Sequence, residues 1–153
     1  LCMYEQLLKE VEEEGIEVVS LQLQENIKGL YCDSIIALNK NISSTAEKNC
    51  ILAEELGHYY TSVGNIIDIS NTNNRKQEVK ARRWAVKRLV TLKNIIKAFE
   101  AGCRNMYEMA EYMEVTEEFL KDAFATYNAM YGKCKKRGNY IIYFDPPGVY
   151  KNL

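Results

Sequence analysis

Histidine is almost missing from this chain: in 153 residues there is one, His58. No three-histidine zinc site and no two-histidine metalloprotease pair can be built from a single imidazole. Cysteine is present but poorly arranged. Cys2, Cys32, Cys50, Cys103 and Cys134 are odd in number, and no two stand as C-x-x-C. That spacing speaks against a disulfide framework and a thiolate zinc site, and for a reducing cytoplasm. There is no run near the ~18 apolar residues of a membrane span, so no membrane role is expected. The first fourteen residues carry charge throughout and lack the apolar stretch of a signal peptide. Charge of one sign is lacking too. Twenty Lys+Arg balance 21 Asp+Glu, for a formal net charge of -1. Nothing in that balance recommends nucleic acid as the main partner.

The patterning predicts a mixed fold. Tyr4 to Glu14 reads as an amphipathic helix stopped by Gly15. Three short strand-like runs follow, Ile16 to Leu21, Lys28 to Cys32 and Ser34 to Leu38. The last two flank Asp33, which reads as a tight hairpin, and the three suggest a small antiparallel sheet. Asn39 to Ser44 is a polar loop, and Ser44-Thr45-Ala46-Glu47 fits a capping box opening a helix to about Ser62. Gly64 to Asn74 reads as a loop, Arg75 to Val90 as a second long helix. Leu92 to Ala101, Asn105 to Met113 and Thr116 to about Met130 read as three more helices. Tyr140 to Phe144 is a strand after the Gly138-Asn139 turn, and Pro146-Pro147-Gly148 is expected to end ordered structure.

The helix from Thr45 carries the chemistry. Ala46, Leu52, Ala53, Leu56, Tyr59 and Tyr60 cover most of its circumference, so it should be buried. Yet Glu47, Cys50, Glu54, His58 and Thr61 fall at spacings of three and four along one face, with Glu55 at its edge. A charged group on a buried helix needs a partner, a metal or a cleft. Glu54 and His58, at i and i+4, can aim a carboxylate and an imidazole at one metal ion, and Glu55 could activate a water. The plainer reading is a Glu–His salt bridge where the helix meets solvent.

Leu52-Ala53-Glu54-Glu55-Leu56-Gly57-His58-Tyr59-Tyr60-Thr61 resembles the active-site helix of the ImmA/IrrE family of metallopeptidases. That family carries H-E-L-G-H where this chain has E-E-L-G-H. Ala81-Arg82-Arg83-Trp84-Ala85 resembles the family's second helix, E-A-x-x-F-A. Gly29-Leu30-Tyr31 through Ile35-Ile36-Ala37-Leu38-Asn39 resembles the sheet that precedes the active-site helix. The resemblance covers roughly residues 4 to 90.

The resemblance implies an α+β fold, with a small antiparallel sheet packed on a helical zincin-like core over residues 1–91. A C-terminal helical unit with a terminal hairpin, residues 92–153, would pack with it as one globular body. It implies a cytoplasmic metallo-endopeptidase of phage or mobile-element type, holding a divalent metal, zinc first, and cleaving a helix-turn-helix repressor. By position, Glu55 becomes the catalytic base and His58 a metal ligand. Glu54 replaces the family's first histidine, and a carboxylate can ligate zinc at about 2.0–2.2 Å. The family's third ligand, a Glu, falls by literal alignment on Lys80, which as an ammonium cannot ligate. Helical periodicity instead places Glu78 within the arc of Val79, Ala81, Ala85, Val86 and Leu89, so Glu78 is the third-ligand candidate. Its alternative is a salt bridge to Arg82 or His58. The His-to-Glu change and Lys80 also fit a second reading, a catalytically degenerate relative that binds a regulator without cleaving it. An empty site with Glu54 bonded to a neighbouring Arg or Lys would sink the metal reading.

Met109 to Leu120 has helix-turn-helix spacing, with Glu114 where Gly is usual in the turn. The would-be recognition helix opens with Glu117 and Glu118, which would repel phosphates. A structural helical unit is therefore expected, not a DNA reader. Lys80-Ala81-Arg82-Arg83 and Lys133 to Arg137 read as solvated surface, and Trp84 as core. The tyrosines near the C-terminus suit a partner-facing hairpin or edge strand.

Overall fold

The computed structural model describes residues 1–62 and 72–153. Most of the expected loop from Gly64 to Asn74 lies outside the described residues. Among these residues no helix is long and apolar enough to cross a membrane. The chain divides into two compact units, Leu1–Ala85 and Val86–Leu153, and the fold class is α+β.

The first unit opens with α1 (Met3–Glu13), which buries Leu7 and Val11 at i, i+4. Gly15, at φ +73, turns the chain into β1 (Glu17–Leu21). Then come β2 (Gly29–Cys32), β3 (Ile35–Asn39), α2 (Thr45–Thr61) and α3 (Thr72–Leu89). Asp33 and Ser34 both have positive φ, at 49 and 63, which is the conformation of a two-residue type I′ hairpin turn. It sets β2 antiparallel to β3, with Gly29 opposite Leu38 and Tyr31 opposite Ile36.

The sheet order is β1-β3-β2, and β1 runs parallel to β3. The expected all-antiparallel sheet is therefore mixed. The hairpin fills one edge of β3, and β1 can reach only the other. Residues 22–28 carry the chain back across, so β1 arrives in the same direction as β3. Asn39, expected as the start of a polar loop, ends β3 in the core and organises that return. Its Nδ2 donates to the carbonyls of Gln24 at 3.0 Å and Ile27 at 2.7 Å, while Oδ1 accepts from the amides of Leu23 and Asn41. A buried amide satisfied on both ends is stable where an unsatisfied one is not.

Helix α2 starts with the Ser44 half of the expected capping box: the Ser44 hydroxyl accepts from the Glu47 amide at 3.1 Å, while the Glu47 carboxylate turns to Lys28. It buries Ile51, Leu52, Ala53 and Leu56, in contact with α1 and the sheet. Helix α3 buries Ala81 and Ala85. Val79 does not belong to the buried arc, being half exposed. Trp84 is only partly buried and stacks on Tyr60.

The second unit contains α4 (Leu92–Glu100), α5 (Met106–Met113) and α6 (Glu117–Tyr131), capped by Thr91, Asn105 and Thr116. Glu114 takes the left-handed conformation (φ 59, ψ 37) between α5 and α6, supplying the bend a glycine would usually provide. Leu120, Phe124 and Ile142 fill the core, and the Tyr127 hydroxyl donates to the Val90 carbonyl at 2.7 Å. The chain then forms an antiparallel meander: β4 (Cys134–Arg137), β5 (Tyr140–Phe144) and β6 (Pro147–Lys151). Pro146-Pro147-Gly148 does not end the ordered structure. A proline is tolerated as the first residue of an edge strand, so Pro147 opens β6 instead, and the expected hairpin becomes three strands.

Candidate active site

The polar face of α2 splits once its neighbours are in place. Glu47 pairs with Lys28 at 3.5 Å. Thr61 donates to its own helix, at the Gly57 carbonyl, at 2.7 Å. Cys50 is buried. What remains toward α3 is Glu54, Glu55 and His58.

Two glycines set how closely this cluster is approached. A methyl group on Gly57 would run into the carbonyl of Ala81, so α2 and α3 meet there almost backbone to backbone. That contact places His58 beside Glu78 and Glu54 beside Arg82. His58 Nε2 lies 3.3 Å from Glu78 Oε1; the imidazole is 14% exposed and the carboxylate 66%. Glu78 thus meets α2 at the solvent edge, not within a buried arc. Arg82 Nε donates to Glu54 Oε1 at 2.9 Å.

Gly29 on β2 sets the second approach. A Cβ there would lie 2.7 Å from Ile51 Cγ2 and 3.3 Å from Glu55 Oε1. The Glu55 carboxyl therefore reaches the backbone of an edge strand. Burial, with the negative charge of Glu54 and then Glu78, pushes its pKa up to about 7. A carboxyl poised near neutrality can both accept and return a proton.

A family model described as the IrrE N-terminal-like domain of peptidase family M78 matches residues 11–124. The chain belongs to this family. No curated protein and no solved structure matches it. Family membership makes the chain a relative of metal-dependent peptidases, and the donor set can be judged against that role.

His58 and Glu78 are brought together, and Glu54 is drawn aside by Arg82. Among the described residues no three His, Cys, Asp or Glu side chains converge as a ready metal cage. The Glu54–Arg82 pair is the arrangement expected of a metal-free role, and it counts against Glu54 as a ligand while it lasts. The donor types themselves fit a metal: one imidazole and two carboxylates are ligands that zinc accepts, and Glu54 and Glu78 both raise the pKa of Glu55.

The close approaches at Gly57 and Gly29 are what the sequence pattern does not show. Arg82 reads there as surface and as an i, i+4 partner for Glu78, and of the two partners weighed for Glu78 it is His58 that pairs with it. The partner Arg82 takes, Glu54, lies on another helix, which spacing along one helix cannot reveal.

Proposed function

We propose that this chain is a metal-dependent endopeptidase of the IrrE type. Its substrate would be a protein, a phage or mobile-element helix-turn-helix repressor being the class that the family resemblance implies. The observation that carries the proposal is Glu55, a carboxyl near neutrality set between the His58–Glu78 pair and an edge strand. His58 and Glu78 would hold the ion, with Glu54 joining them when Arg82 lets go. A bound zinc ion would supply Lewis acidity toward the peptide carbonyl. Glu55 would take a proton from water and return it to the departing amine. Substrate would lie extended along β2, its backbone aligned by the strand's open side. Five free cysteines fit a reducing cytoplasm as the setting.

The Glu54–Arg82 ion pair favours a second reading, a relative that binds its regulator without cleaving it. Zinc titration of the metal-stripped full chain separates the two. The peptidase reading expects about one equivalent, lost in His58→Ala and bound more tightly in Arg82→Ala, where the competing cation is gone. No uptake in either the natural chain or Arg82→Ala leaves only the second reading.

A further inference from the structure

The β4-β5-β6 sheet has two edges, and they are guarded unequally. Phe144 N–H donates to the Lys133 carbonyl, and Asn152 N–H to the Asn139 carbonyl. Antiparallel pairs alternate between bonded and non-bonded. With the observed register, Gly148 and Tyr150 therefore bond to β5, and the amides and carbonyls of Val149 and Lys151 point away from the sheet. Along the opposite edge, β4 is Cys-Lys-Lys-Arg and exposed throughout. Such a run of cations deters strand pairing. On β6 a proline and a single cation, Pro147 and Lys151, bound an uncharged stretch, Gly148-Val149-Tyr150.

A cavity of about 440 Å³ runs beside that open stretch. Phe99, Met106, Met109 and Phe124 give it apolar walls, Val149 lies along it, and Arg104 stands at its margin. Its size is within the ~300–1,000 Å³ of ordinary ligand sites. Methionine walls adapt to large apolar side chains. The Arg104 side chain is 86% exposed and pairs with Glu108 at 3.6 Å, a carboxylate that also accepts from the Arg104 amide. The second unit holds eleven Lys and Arg against eight Asp and Glu, a net +3.

We propose that β6 captures an extended segment of a partner protein, which adds as a fourth strand and seats one bulky apolar side chain in the cavity. The Val149 and Lys151 backbone groups supply the pairing, and Arg104 favours an acidic residue next to the anchor. The docking site is then built from other residues than the Glu55 cluster. The inference does not depend on whether that cluster holds a metal.

The test uses the full chain and a displayed library of seven-residue peptides, the strongest binder then being made synthetically. The expected consensus has Phe, Leu, Met or Trp at one position with Asp or Glu nearby. Val149→Pro is the decisive variant. The N–H it removes points away from β5, so the sheet keeps all its own bonds. Peptide affinity should fall at least tenfold. Arg104→Ala should erase the acidic preference and leave the apolar anchor. On adding peptide, amide exchange should slow at Val149 and Lys151 and stay unchanged at Gly148 and Tyr150, which are already bonded. Three outcomes overturn the proposal: no enriched peptide, undiminished binding by a folded Val149→Pro chain, or a cavity that takes only small apolar molecules.

Discussion

Gly57 on α2 rests against the Ala81 carbonyl of α3, with no room for a methyl group between the helices. His58 and Glu54, one and three residues away, find their partners on α3 because of this contact. Alanine is the better helix former, by about 1 kcal/mol in an open helix. Here Gly57→Ala should do the reverse. Forcing the helices apart should cost about 1–3 kcal/mol. Denaturant unfolding measures the loss, and a chain as stable as the original would show that the helices yield freely.

Glu55→Gln keeps the shape of the side chain and removes its basicity. Cleavage of the cognate protein should stop while fold and zinc uptake persist. The check is single-turnover cleavage followed by gel, beside zinc titration and circular dichroism on the same sample. Retained cleavage would take the base role away from Glu55.

Glu55 also makes stability depend on pH. Burial and the neighbouring carboxylates raise its pKa in the folded protein to about 7, from an ordinary 4.5. Between those values the folded chain holds a proton that the unfolded chain has lost, so stability falls as pH rises. The contribution is fully present below pH ~4.5 and gone above ~7, with a span of about 3 kcal/mol at one pKa unit per ~1.4 kcal/mol. Urea midpoints of metal-stripped protein across this range should show the slope. Glu55→Gln should flatten it.

Asn39→Asp tests the β1–β2 return. The change puts a carboxylate oxygen where Nδ2 now donates to two carbonyls. Acceptor would face acceptor in a buried site, at a cost of about 2 kcal/mol or more. Unfolding midpoints give the size.

Much of the fold was legible because its signals are local. Ser44, Thr116 and Gly15 mark their helix ends by chemistry that acts within four residues, and all three do so here. The mixed sheet was not legible. Whether β1 runs parallel or antiparallel depends on which edge of β3 is free, and no residue of β1 records that. Pro147 misled because a proline ends a helix but can begin an edge strand. At the site, Glu54, Glu55 and His58 were visible as one helix's polar face. The partner of Arg82 was not, since its pair with Glu54 exists only once Gly57 lets α3 come close.

The Asp33–Ser34 turn has a consequence for the order of assembly. It joins β2 and β3 through two residues, so this hairpin can close within ~1–10 μs, as isolated hairpins do. The β1–β3 pairing spans more chain and must wait for it. The strand that faces Glu55 is therefore built from the most local contacts in its sheet. Substitutions in the turn should slow folding, while those in β1 should mainly hasten unfolding.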